Sequence, residues 1–132
     1  MCLTSITKGY DKNDVEGIGY KIFRISNEGI SNEELYSPIF GFEQFEYNNW
    51  YHRRIYFIYI TDTITYDSGF HIFPNKEDCY IYAYEMGWSS KARLSIQYKI
   101  VKVKYKGVLY EGLQNNLKCL VVKSIMLLDE TI

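Results

Sequence analysis

The chain has 132 residues, a net charge of −1 and 23% charged residues, the make-up of one soluble globular domain spanning 1–132. Near-neutrality excludes bulk attraction to long nucleic acid or anionic lipid, and no run of about 18 apolar residues offers a transmembrane helix. Three cysteines without C-x-x-C spacing, and no basic-then-apolar leader, argue against a disulfide framework, a metal site or secretion and for a reducing cytoplasm.

Aromatic residues reach 17%, with 14 tyrosines. That excess reads either as a stacking or contact surface or as the codon bias of a low-GC genome.

In chain order, Cys2 comes first. Removal of Met1 leaves an α-amino group beside its thiol, the arrangement of an N-terminal nucleophile. The alternative is a small residue opening a strand. Residues 3–6 are expected as a short strand and 8–17 as a solvated loop, whose Asp11 and Asp14 do not fit calcium-loop spacing. Residues 18–26 alternate, with Ile18, Tyr20, Ile22 and Arg24 against Lys21, Phe23 and Ile25, a strand covered on both faces. Residues 32–35 read as a single helical turn.

Residues 36–54 are crowded with aromatics around Pro38 and Gly41. Asn48-Asn49 marks a hairpin tip or loop. His52, Arg53 and Arg54 form the densest basic spot. Tyr36, Trp50 and Tyr51 beside Arg53 and Arg54 suit stacking on a base and pairing with a phosphate, so this is the candidate site for a nucleotide-like ligand. The plainer reading has the rings packed on the domain and the arginines in water. Residues 55–61 form a strand and 61–68 a polar turn.

Residues 69–87 hold the fold's centre. Phe70 and Ile72 face one way, His71 and Phe73 the other. Pro74 ends the ladder, and Asn75 caps a helix over 75–86 that Glu77 and Asp78 favour electrostatically. Cys79, Ala83 and Met86 make its apolar stripe, and Gly87 is its left-handed stop. His71 is either a general base or anion-holding ligand residue, or a histidine packed under the helix.

Residues 95–106 are a strand with a phase change that suggests a bulge near Ile100-Val101. Lys102, Lys104 and Lys106 line its polar side, as a solvated face or a blunted edge. Residues 107–112 are a short turn and strand containing Glu111, 114–116 a loop, and 117–128 a buried strand.

Met1-Cys2-Leu3-Thr4, Tyr36-Ser37-Pro38 with its following aromatics, and Gly69-Phe70-His71-Ile72-Phe73 before a helix together resemble a group of small, largely uncharacterised proteins of bacteriophages and large DNA viruses. The resemblance implies a viral or mobile-element setting and no particular reaction. A fainter similarity is to ADP-ribosyltransferase-like folds, with Arg24 in the first element and Glu111 as the late acid. Here Gly69-Phe70-His71 stands where that pattern has a Ser-Thr-Ser-like run.

The expected fold is α+β, a largely antiparallel twisted sheet with one main helix packed on a face. The expected function is a virus- or phage-encoded binding protein without a cofactor, acting on a host protein or sequestering a nucleotide-like ligand. The alternatives are a small enzyme using Cys2, or a pocket around His71 and Glu111, and an assembly protein forming homo-oligomers.

Overall fold

The computed structural model describes residues 5–26, 34–36, 44–52, 57–59, 65–67, 69–88 and 98–129. In chain order the elements are β1 (Ser5–Ser26), β2 (Glu34–Tyr36), β3 (Gln44–Phe45), β4 (Trp50–His52), β5 (Phe57–Tyr59), β6 (Thr65–Asp67), β7 (Phe70–Ile72), α1 (Lys76–Glu85), β8 (Tyr98–Gln114) and β9 (Leu117–Leu127). Seven strands form one antiparallel sheet in the order β3-β2-β1-β8-β9-β4, with β7 also on β9. β5 and β6 pair separately. The fold is the expected α+β domain with one helix among the described residues.

β8 and β9 are its spine. Asn115 and Asn116, at φ 51° and 65°, make a two-residue turn in the left-handed region that asparagine tolerates and strand twist favours. From there β9 runs antiparallel to β8, from Leu117 opposite Gln114 to Leu127 opposite Val103. Its apolar content follows from cover on both faces. Cys119, Val121, Val122, Ile125 and Leu127 are all fully buried.

β7 lies on the other edge of β9, Ile72 opposite Leu120. Just beyond it, Phe73 and Tyr20 exchange two backbone hydrogen bonds of 2.8 Å. β1, β8, β9 and β7 therefore close into a circuit. One apolar cluster, the inner cluster, is built from Phe23, Ile72, Val101, Val103, Ile125 and Leu127. A second, the outer cluster, joins Ile22, Phe73, Leu109, Cys119 and Val121 to Cys79, Tyr82 and Ala83 of α1. Each such large apolar side chain stabilises the fold by about 1.5–3 kcal/mol through burial.

α1 begins after Asn75, whose extended backbone fits an N-cap although its side chain makes no capping bond; Glu77 and Asp78 occupy the first turn. It ends at Gly87, φ 73°, as the glycine requires. The buried stripe is Cys79, Tyr82 and Ala83, whereas Met86 is exposed. Met86 falls at the C-cap, past the last turn that touches the sheet.

Five local expectations are corrected. Residues 8–17 are not a loop but part of β1, which keeps pairing with β8 by slipping register at three places, Ile6/Lys8, Gly9/Lys12 and Lys12/Glu16. Such bulges let a polar segment hold a ladder that its own sequence does not favour. Residues 34 and 35 of the expected helical turn extend the sheet instead, as part of β2, because Leu35 is buried in the inner cluster. The phase change at Ile100-Val101 is not a bulge, since Ile22↔Ile100 and Lys21↔Val101 are in continuous register; Ile100 packs under α1 and Val101 in the inner cluster. The irregularity falls instead at Val108/Tyr110, and residues 107–112 continue β8. Finally, 65–67 of the expected polar turn form β6.

Candidate functional site

In an antiparallel ladder, residues directly opposite one another share a face. The registers therefore define rows across four strands. Ile18, Lys104, Met126 and Trp50 make one row, and Glu16, Lys106, Ser124 and His52 make the next on the same face. Tyr20 and Lys102 follow on the other side of the first. The intervening row, Gly17, Tyr105, Ile125 and Tyr51, points inward.

This outward face is only half covered. α1 and Trp88 lie over its Ile22 and Ile100 end, while Ile18 (47% exposed) and Trp50 (37%) stand in solvent. Lys102, Lys104 and Lys106 run between them along β8. β8 is hydrogen-bonded on both sides, so the lysines do not blunt an edge; they stand in the middle of an open face. Lys106 pairs with Glu16 at 3.9 Å. His52 Nδ1 meets Ser124 Oγ at 2.7 Å, a bond that ties β4 to β9 and fixes the strand carrying Trp50.

At the Lys102 end lies an open crevice of about 190 Å³ lined by Tyr47, Lys99, Lys102, Leu128 and Asp129. Lys99 Nζ sits 5.9 Å from the Tyr47 ring centroid, within cation–π range. At this size the crevice falls short of the ~300 Å³ at which small-molecule pockets begin, and its two lysines stand beside the Asp129 carboxylate.

Of the residues expected at a site, Trp50 belongs to this face. Tyr51 turns inward, its ring 4.8 Å from Phe45 and its hydroxyl accepting the Glu46 N–H at 2.7 Å. The aromatics of 44–52 therefore divide between solvent-facing and core-facing positions by strand alternation. Cys2, Arg53 and Arg54 lie outside the described residues, as does the Tyr36 side chain, whose backbone is in β2.

His71 is 4% exposed. It shares a row with Val121 and Tyr110, whereas Glu111 shares the adjacent row with Leu120 and Ile72. The two side chains thus leave opposite faces of the sheet and do not meet. Glu111 is instead paired with Lys118 at 3.0 Å. Burial, with the Lys21 ammonium among the smaller causes, holds the His71 imidazole well below its usual range.

Next to His71 the structure buries groups that the sequence does not single out. Lys21, 4% exposed, donates from Nζ to the His71 carbonyl oxygen at 3.2 Å. Desolvation lowers its pKa to about 8. Burial pushes the thiols of Cys79 and Cys119 up to about 12, so both are neutral and poor nucleophiles. Among the described residues no three His, Cys, Asp or Glu side chains gather as metal ligands.

The missed site residues are Ile18, Met126 and the three lysines. Their spacing carried a signal, a lysine at every second position of 102–106, but only register reveals what stands beside it. No family model, curated protein or solved structure matches the chain.

Proposed function

We propose that this is a virus- or phage-encoded binding protein of the host cytoplasm that sequesters a small nucleotide-like anion on its open sheet face. The observation that carries this reading is the row Ile18, Lys104, Met126 and Trp50, with Lys102 and Lys106 on either side. An exposed indole offers a π-face to any base, and sheet-borne lysines supply positive charge to phosphates without demanding a sequence. The Lys102 crevice accepts a terminal phosphate. The viral setting is supported by the resemblance of the 1–4, 36–38 and 69–73 motifs. No described helix is long and apolar enough to cross a membrane.

Calorimetry against mono-, di- and cyclic dinucleotides tests this. Binding is expected for at least one, with Trp50→Ala and Lys104→Glu each weakening it. Stacking contributes about 1–3 kcal/mol per base, so the Trp50 substitution should cost roughly 5- to 150-fold in affinity. No heat from any of them would remove the small-ligand reading.

A further inference from the structure

α1 carries a second surface, separate from the open sheet face. At about 100° per residue, the buried Cys79, Tyr82 and Ala83 point one way and Glu77, Ile81 and Tyr84 form the ridge directly opposite. Tyr80 flanks this ridge on one side and Glu85 on the other. Tyr84 is 85% exposed, and Tyr80, Ile81 and Met86 are exposed as well. A surface helix ordinarily turns polar side chains outward. Here the outward side is as rich in large apolar groups as the side that packs.

Its charge is one-sided. Glu77, Asp78 and Glu85 face a single cation, Lys76, and no basic residue occupies the last turn. Glu85 sits where the helix dipole already concentrates negative charge. That is a local cost which a cation from outside would offset. We propose that this ridge docks a basic, amphipathic segment of a protein partner, its apolar side chains on Ile81 and Tyr84 and its lysines or arginines against Glu77 and Glu85. Aromatic anchors ringed by charge of one sign are the pattern of such recognition.

The probe is a fluorescein-labelled 18-residue peptide of leucine and lysine at helical spacing, with a counterpart carrying glutamate for lysine, read by anisotropy. The lysine peptide should bind and the glutamate peptide should not. The double substitution Ile81→Ser/Tyr84→Ser should weaken binding about tenfold or more. Glu77→Lys/Glu85→Lys should abolish it and admit the glutamate peptide. All four positions are exposed, so unchanged melting curves will show that the variants fold. Equal binding of both peptides, or indifference to these substitutions, would overturn the proposal. So would self-association in sedimentation that the Ile81→Ser/Tyr84→Ser protein loses, which would assign the ridge to a second copy. Nucleotide titration of the same variants is expected to be unchanged, so each binding activity can fail without the other.

Discussion

Lys21 reaches through the core to the backbone of His71, its Nζ 3.2 Å from the carbonyl oxygen. The bond joins β1 to β7 beside the point where Tyr20 and Phe73 close the circuit of strands. Among the described residues the ammonium has this carbonyl as its hydrogen-bond partner and the Phe23 ring at 5.7 Å, which compensate incompletely for its lost hydration. The nearby thiols are neutral and do not offset it. Several consequences can be measured.

Stability should have an unusual pH profile. A lysine whose folded pKa lies near 8, below its ordinary 10.5, binds its proton more weakly when folded. Stability therefore rises with pH from about 8, at up to about 1.4 kcal/mol per unit. Cys79 and Cys119, raised from 9.0 to about 12, act oppositely above pH 9, because only the unfolded chain then loses those protons. Two cysteines outweigh one lysine, so the maximum falls near pH 9. On the acid side His71 stays neutral when folded, and stability is lost as pH falls below about 6.5. Urea denaturation from pH 5 to 11 reads this profile; a plateau from 6 to 9 would contradict it.

Lys21→Met should stabilise the protein at pH 7. Replacing buried ion pairs by apolar groups of similar volume ranges from neutral to a gain of about 1–4 kcal/mol, and a gain within that range is expected here; the rise between pH 8 and 9 should vanish with it. Destabilisation of comparable size would show that the bond to His71 outweighs the burial cost.

Gly19→Ala should destabilise. A Cβ there would meet Ile72 Cδ1 at 2.9 Å and the Phe73 carbonyl oxygen at 3.3 Å, where β7 docks on β1. Overpacking of this kind costs about 1–3 kcal/mol. A melting temperature equal to that of the parent would show that β7 gives way freely.

Neither Cys79 nor Cys119 should react with iodoacetamide in the native protein, since both are buried and their thiols are suppressed. Both should label in denaturant. Peptide mapping after a short pulse distinguishes them from Cys2, and native labelling at either buried position would contradict the packing beneath α1.

What the sequence made legible was local. The helix stop at Gly87 and the apolar run that became β9 depend on neighbours a few residues away. So does the alternation of 70–73, which put Ile72 and Phe73 in different clusters. Residues 8–17 were not legible, because their strand exists only through β8, which pairs with them from residues 105–111. Lys21 alternates like any solvent-facing lysine, and only closure of the circuit buries it. The row from Ile18 to Trp50 draws on four segments far apart in the chain, and no single window displays it.

The central claim is that the open sheet face binds a nucleotide-like anion, and Trp50 is its most direct reporter. In an NMR titration of the ¹⁵N-labelled protein with nucleotides and cyclic dinucleotides, the Trp50 indole signal should move together with the amides of Ile18, Lys104 and Met126. The Trp88 indole, packed against the outer cluster, should stay in place. A titration that leaves Trp50 unmoved, or that shifts Trp88 and α1 alone, would contradict the account.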